Sequence, residues 1–276
     1  MNSDEIILLP QPSKEDLQDA NEALKFACLY TKPLLDVAPQ STQSETYGTG
    51  VLIGIERRLF VATAAHCLKR EPILLLNSDP IRTPFQPSPY LKKVRSCGLD
   101  VGLLEIENQS SINRLPIECL CPNTPPIPTD AATYLSRLGC IVGCPSAEYV
   151  RRHGSTGIST TNFGTYPVAA SEIEYEYSYP VGVGRWQQET GVILERELNF
   201  TPHGYSGSGV WAFNKPQTDR LILPKHYLTL YAIQSAWRER RRVVVCVPIK
   251  HWIQLVYNNY PDLQEPLSAQ FPFLRE

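Results

Sequence analysis

A serine in a glycine-rich segment is the first feature of this sequence that could do chemistry. Ser206 lies two residues after Gly204 and directly before Gly207, in the segment FTPHGYSGSGVWAF (residues 200–213), which ends in an apolar run. A serine hydroxyl becomes a useful nucleophile only when a neighbouring base removes its proton. The attacked carbonyl also needs amide donors where its oxygen becomes negative. Ser206 is therefore a candidate nucleophile, although serine and glycine are also common in ordinary turns.

Two further residues could supply the base and the acid that orients it. His66 ends the apolar run LFVATAAH (59–66), and Asp100 stands at the start of the run DVGLLEI (100–106). An aspartate that enters a buried run must be hydrogen-bonded, because burying an unpaired carboxylate is costly. Histidine is a suitable partner, since a carboxylate fixes its tautomer and stabilises the imidazolium. His66 is therefore a candidate partner of Asp100.

The segments around these residues predict mainly β-strands. From residue 47, around ten or twelve short apolar runs alternate with Gly, Pro and Asn, which favours antiparallel barrels or sandwiches. The proline-dense residues 121–133 predict an extended connector between two halves. Residues 13–31 have helical spacing and predict an N-terminal helix, although Phe26 to Tyr30 could also begin a strand. Residues 249–258 predict a short C-terminal helix.

Composition and charge exclude several classes of function. The 276 residues carry a formal net charge of −2, which gives no reason to expect a nucleic-acid or membrane partner. No window approaches twenty apolar residues, and the N-terminus lacks the pattern of a secretory signal, so we expect a cytoplasmic protein. The eight cysteines lack zinc-site spacing and are expected to be mostly buried free thiols, with no metal or cofactor bound.

Three sequence blocks together resemble the active-site blocks of the chymotrypsin-like (trypsin-fold) serine peptidases. The blocks are TAAHC (63–67), LDVGLL (99–104) and GYSGSGV (204–210), in the His, Asp, Ser order of that fold. Four flanking segments are also similar: GTGVLIG (48–54), GCIVGCPS (139–146), LYAIQSAW (230–237) and VPIKHWIQLV (247–256). The similarity extends from about residue 45 to residue 258 and points to an intracellular, bacterial-type member.

The resemblance implies an all-β fold of two antiparallel six-stranded β-barrels with a cleft between them. An N-terminal helical extension and a C-terminal helix flank the barrels. The expected units are an extension (1–44), a peptidase domain (45–260) made of a first barrel (about 45–120), a linker (121–133), a second barrel (about 134–248) and a closing helix (249–258), and a C-terminal tail (261–276).

The resemblance also implies roles for individual residues. His66 is expected to act as general base and then as general acid, with Asp100 orienting it and Ser206 attacking the substrate carbonyl. The amides of Gly204 and Ser206 are expected to form the oxyanion hole. Ser235 is expected to hydrogen-bond Asp100 and to begin the strand that pairs with the substrate backbone.

The substrate pocket departs from the best-known members. Phe200 stands where trypsin-like enzymes place an aspartate, so a basic P1 side chain has no evident counter-charge. Thr201 resembles a threonine of glutamyl endopeptidases, but Gln234 replaces their histidine and weakens a preference for glutamate. Trp237 stands where a small residue often leaves the pocket open. A small, apolar or polar P1 residue is the expectation.

Two other departures concern activation and disulfides. Tyr205 replaces the aspartate that receives a freed N-terminal ammonium in zymogen-activated members, so activation by that route is not available. Cys67 has no upstream cysteine to pair with in SETYGTGVLI (44–53), unlike its counterpart in secreted animal members. The enzyme is expected to be either constitutively competent or switched by a partner.

The predicted function is a regulatory serine endopeptidase with a narrow protein substrate, in a bacterial stress or defence system. The expected partners are a protein or peptide substrate and an activating sensor protein. A catalytically silent binding module on the same scaffold is the alternative, and a viral-type processing protease is a third reading. The α/β-hydrolase alternative fails because the chain order is His, Asp, Ser and because Ser208 replaces the last glycine of its motif.

Overall fold

The computed structural model of the protein describes two β-sheets and a helical C-terminal segment. The described residues are 27, 30–36, 45–56, 58–69, 73–74, 90–96, 98–106, 139–144, 164–168, 173–176, 183–184, 204–213, 228–238 and 243–275. Of the predicted helix over residues 13–31, the structure describes Ala27 and Tyr30, which are helical, and Thr31, which begins a strand. The predicted connector over residues 121–133, and Phe200 and Thr201, lie outside the described residues. No helix among the described residues has the length and apolar character needed to cross a membrane.

The first sheet has six strands, and all of its pairings are antiparallel. Its strands are β1 (Thr31–Asp36), β2 (Glu45–Ile55), β3 (Arg58–Thr63), β4 (Ile73–Leu74), β5 (Tyr90–Arg95) and β6 (Gly102–Ile106). They lie in the order β4-β1-β2-β3-β6-β5. The apolar runs in β3 and β6 occupy the middle of the sheet, where Leu59 to Thr63 and every residue of β6 are buried.

The second sheet has seven strands. They are β7 (Gly139–Gly143), β8 (Gly164–Val168), β9 (Ile173–Glu176), β10 (Val183–Gly184), β11 (Gly209–Phe213), β12 (Leu228–Arg238) and β13 (Val243–Pro248). Their order is β10-β9-β13-β12-β11-β7-β8. The described pairings are antiparallel except that of β9 with β13, which is parallel. The predicted all-β class is therefore present as two largely antiparallel sheets with a C-terminal helix.

The two sheets share one circular strand order. When β10 is set aside and the strands of each sheet are numbered from 1 to 6 along the chain, the first sheet reads 4-1-2-3-6-5 and the second reads 3-6-5-4-1-2. Both are the circular order 1-2-3-6-5-4, interrupted at different places. Among the described residues neither sheet closes on itself, because the 4–5 pairing is missing from the first and the 2–3 pairing from the second.

The segment before residue 45 contributes one strand to the first sheet. Strand β1 pairs with β2 from Thr31 to Asp36, so part of the expected extension over residues 1–44 belongs to the first sheet. Tyr30 is still helical, and the change to strand follows at once because Pro33 cannot donate a helical hydrogen bond and disfavours a helical residue before it. Leu34 anchors the strand with a fully buried side chain.

The expected C-terminal tail is a packed part of the fold. Helix α1 (Ile249–Asn259) corresponds to the predicted closing helix, and a 3₁₀ turn (Pro261–Leu263), helix α2 (Gln264–Gln270) and a second 3₁₀ turn (Pro272–Leu274) follow it. Four buried side chains of this segment pack in the hydrophobic cluster that contains Phe60 of β3. They are Leu263, Leu267, Phe271 and Leu274. Arg58 joins the tail to the first sheet by contacting Glu105 (2.7 Å) and Asp262 (2.8 Å).

We expect that Leu267→Ala lowers the free energy of unfolding by about 2–5 kcal/mol, because it leaves a cavity under the tail. Urea denaturation followed by tryptophan fluorescence measures the change. Glu265→Ala, an exposed position on the same helix, is the control and should change the value by less than about 0.5 kcal/mol. Equal stability of the two variants would show that the tail contributes little to the core.

Candidate active site

His66 and Asp100 meet because the strands that carry them are neighbours. His66 lies in a 3₁₀ turn (Ala65–Lys69) that follows β3, and Asp100 lies two residues before β6. β3 and β6 are antiparallel, with Thr63 opposite Gly102, so the end of one strand and the start of the other share an edge. The Nδ1–H of His66 donates to Oδ2 of Asp100 (2.6 Å), and its backbone N–H donates to Oδ1 (2.9 Å).

The second sheet supplies another donor to the same carboxylate. Ser235 lies in β12, and its hydroxyl donates to Oδ2 of Asp100 at 3.0 Å. Ser235 is buried, at a register irregularity between Gln234 and Ala236 in the pairing with β13. Asp100 thus accepts hydrogen bonds from both sheets, which fixes the carboxylate at their junction.

These contacts change the acidity of both groups. Burial acts to raise the pKa of Asp100, but the hydrogen bonds from His66 and Ser235 and the charge of the His66 imidazolium together lower it below its ordinary value. The hydrogen bond to Asp100 raises the pKa of His66, and Cys67 contributes in the same direction. The carboxylate therefore stays ionised and makes the imidazole a stronger base. The His66 side chain keeps 39% of its surface exposed, so it can reach a ligand.

The Ser206 loop is held by backbone hydrogen bonds and needs glycine. Gly204 and Gly207 have φ angles of 92° and 89°, which side-chain-bearing residues rarely adopt. The N–H of Gly207 donates to the carbonyl of Gln234 (2.8 Å), and the N–H of Ser208 donates to that of Tyr205 (2.8 Å). A Cβ at Gly207 would lie only 2.1 Å from the carbonyl oxygen of Thr49. The loop is therefore tightly packed and fixed to both sheets.

The loop packs directly against the turn that carries His66. The Sγ of Cys67 lies 3.5 Å from the carbonyl oxygen of Ser206, and a Cβ at Gly207 would contact the amide nitrogen of Ala64. The hydrogen bonds of the described residues do not include one between the Ser206 hydroxyl and His66. Ser206 and His66 therefore lie on segments that contact each other, without a hydrogen bond between their side chains.

The two predicted oxyanion donors are available. Within the described part of the chain, the N–H groups of Gly204 and Ser206 have no acceptor, whereas those of Gly207 and Ser208 are both used within the fold. Ser206 itself is half-buried, at the surface of the loop. Two uncommitted amide donors beside a candidate nucleophile are what a developing oxyanion requires.

The structure describes two of the four other predicted substrate-binding residues. Gln234 is buried in β12, and its Oε1 has no hydrogen-bond partner among the described residues. The backbone of Trp237 pairs with that of Val244 in β13. Phe200 and Thr201 lie outside the described residues. The preference for a P1 side chain therefore stays a prediction.

The structure describes the side chains of three cysteines. Cys67, Cys144 and Cys246 are buried, and none of them forms a disulfide in the described part of the chain. Gly48 lies next to Cys67, and a Cβ there would be 2.6 Å from its Sγ. No group of three or more His, Cys, Asp or Glu residues in the described ranges could hold a metal ion.

Comparison with known proteins gives no family assignment: no family model matches the sequence, and no curated protein matches it significantly. The case for a function therefore depends on the arrangement of His66, Asp100, Ser206 and Ser235.

We expect that Asp100→Asn lowers the pKa of His66 by about 1 to 3 pH units, because the variant replaces the ionised acceptor of the His66 hydrogen bond with a neutral one and removes the charge that stabilises the imidazolium. Titration of the histidine ring protons by NMR measures the pKa, with the His66 signal identified by its absence in His66→Gln. Asp262→Asn removes a carboxylate that contacts Arg58 instead, and should leave the His66 pKa unchanged. The same pKa in Asp100→Asn and wild type would refute the coupling.

Proposed function

We propose that this protein is a serine endopeptidase of the chymotrypsin-like type, with His66, Asp100 and Ser206 as its catalytic residues. One observation carries the proposal: a hydrogen-bonded His66–Asp100–Ser235 network lies at the junction of two sheets, beside a glycine-supported serine loop. A serine that only fills a turn does not require a neighbouring histidine held by a carboxylate, nor free amide donors beside it.

The strand order supports the fold that this proposal needs. Without β10, both sheets have the circular order 1-2-3-6-5-4 that two related six-stranded barrels would have, each lacking one pairing in the described residues. The 3–6 pairing differs between them: it is antiparallel in the first sheet and parallel in the second. The first sheet carries His66 and Asp100, and the second carries Ser235 and the strand that follows Ser206. A cleft between two barrels would therefore receive catalytic groups from both.

The reaction follows from the positions of these groups. The Ser206 oxygen bonds to the substrate carbonyl carbon while its proton passes to Nε2 of His66, and the amides of Gly204 and Ser206 stabilise the oxyanion. His66 then gives the proton to the leaving amine as the C–N bond breaks. Water attacks the acyl-enzyme, His66 takes its proton, and the peptide acid leaves as Ser206 regains a proton. Asp100 stays ionised and stabilises the imidazolium.

The pH dependence follows from the raised pKa of His66. Only neutral imidazole can accept the Ser206 proton, so reactivity should increase with pH through the His66 titration. Because Asp100 raises that pKa, the midpoint should lie above the ordinary histidine value of about 6.5.

One observation favours a second candidate, a binding module that does not turn over. Ser206 and His66 are not hydrogen-bonded to each other, so the described geometry also suits a scaffold that is silent or awaits a partner. Reactivity towards an electrophile distinguishes these alternatives, because a silent module has no activated serine.

We expect a fluorophosphonate probe to label the wild-type protein covalently and to leave Ser206→Ala unlabelled, because the probe reacts only with an activated serine hydroxyl. Intact-mass spectrometry over pH 6–10 measures the labelling. Ser208→Ala is the matched control: its hydroxyl is buried and has no hydrogen-bond partner in the described structure, so labelling should persist. Folded wild-type protein that stays unlabelled across this range, with and without added protein substrates, would support the silent module.

A narrow substrate range is a separate prediction. The pocket residues predicted from the sequence do not include a charged group for a common P1 side chain, so we expect slow and selective cleavage of casein by the isolated chain. Gel electrophoresis and mass spectrometry of the fragments measure it, with Ser206→Ala as the control. Rapid digestion at many kinds of residue would contradict a regulatory role and leave the peptidase assignment intact.

A further inference from the structure

Thr49 in the middle of β2 lies at the centre of the hydrogen bonds that fix the Ser206 loop. Thr49 is fully buried. Its hydroxyl donates to the carbonyl of Gly204 (2.7 Å) and accepts from the N–H of Cys144, directly after β7 (3.0 Å). Its backbone N–H donates to the carbonyl of Ser206 (2.7 Å), and its carbonyl accepts from the hydroxyl of Thr63 (2.6 Å).

The backbone N–H of Thr49 and its hydroxyl bind different parts of the Ser206 loop. Because a peptide unit is planar, the unit between Ser206 and Gly207 is fixed at both ends: its carbonyl binds Thr49 and its N–H binds Gln234. The unit between Gly204 and Tyr205 has its carbonyl bound by the Thr49 hydroxyl. The side chain of Thr49 therefore restrains the residue that is most free to rotate.

Gly204 needs such a restraint. It has a φ of 92° and no side chain, so its backbone can rotate more freely than that of any other residue type. A rotation about the φ or ψ of Gly204 changes the direction of its N–H relative to the peptide units that follow it and that include the N–H of Ser206. The Thr49 hydroxyl, on the other sheet, fixes the first of these units by binding the Gly204 carbonyl.

We propose that Thr49 is a positioning residue of the active site: its hydroxyl sets the conformation of Gly204 and thereby aims the oxyanion-hole amide. This inference rests on the proposed function. It goes beyond it by assigning part of the oxyanion geometry to a side chain of the first sheet. Thr49 touches neither His66 nor Asp100 through any hydrogen bond of the described structure, so its effect on the reaction should be separate from that of the base.

The experiment compares Thr49→Val, which keeps the shape and loses the hydroxyl, with Thr49→Ser, which keeps the hydroxyl. We expect the second-order rate of fluorophosphonate labelling to fall about tenfold to 100-fold in Thr49→Val, as misplacement of a catalytic group predicts, and to return close to the wild-type rate in Thr49→Ser. The His66 pKa should stay at its wild-type value in both.

Thr31→Val is the matched control for the loss of a buried threonine hydrogen bond. Thr31 is fully buried in the neighbouring strand β1, and its hydroxyl donates to the carbonyl of Ala27 (2.8 Å). Thermal denaturation of both valine variants measures the common structural cost. Thr31→Val should label at the wild-type rate even if it loses as much stability as Thr49→Val. Equal loss of labelling in the two would reduce Thr49 to a structural contact and overturn the proposal.

A second readout does not depend on activity. In the Ser206→Ala background, the backbone amide NMR signals of Gly204 and Tyr205 should shift in Thr49→Val and return in Thr49→Ser, because the bound carbonyl lies between them. Unchanged signals overturn the inference whether or not the wild-type protein reacts with the probe. If the wild-type protein does not label but the signals shift, the proposed function fails while the positioning of Gly204 by Thr49 holds.

Discussion

The interaction on which the rest of the structure depends is the solvation of the Asp100 carboxylate. Its side chain retains only 26% of its exposure, so a charge there must be satisfied by protein donors. Two come from His66 in the first sheet and one from Ser235 in the second. The two bonds from His66 form within the first sheet, where β3 pairs with β6, whereas the bond from Ser235 requires the two sheets to dock in one relative position. Docking of the sheets therefore completes the set of donors around Asp100.

Close approach of backbones is the second constraint, and it explains the glycines. Side-chain-bearing residues at Gly48 and Gly207 would collide with Cys67 and Thr49 respectively. A Cβ at Gly143 would similarly lie 2.0 Å from the hydroxyl of Ser208. Glycines in β2, in β7 and in the Ser206 loop thus leave out side chains where these segments meet, and the resulting contacts hold the loop without any disulfide at Cys67.

The parts of the fold that could be predicted are those set by local pattern. His66 and Asp100 end and begin apolar runs, and antiparallel pairing of such runs brings those ends together. Strand β1 was not predicted, because a segment with helical spacing precedes it and Pro33 lies inside it, so the sequence does not show the pattern of a strand there. Thr49 was not singled out either: a threonine in a strand is ordinary, and its hydroxyl partners, Gly204 and Cys144, lie 155 and 95 residues away along the chain. Contacts of that range depend on the docking of the sheets, which no local pattern encodes.

The same contacts limit what could separate an inactive from an active state. The carbonyl of Ser206 is bound by the backbone of Thr49, which belongs to the sheet that also carries His66 and Asp100. A movement of one sheet relative to the other would stretch that bond and the bond from Ser235 to Asp100. Rotation of the Ser206 side chain between staggered positions breaks none of these bonds and moves only the hydroxyl. The described contacts therefore fix the backbone of the loop and leave the Ser206 side chain as the part that can rotate without breaking them.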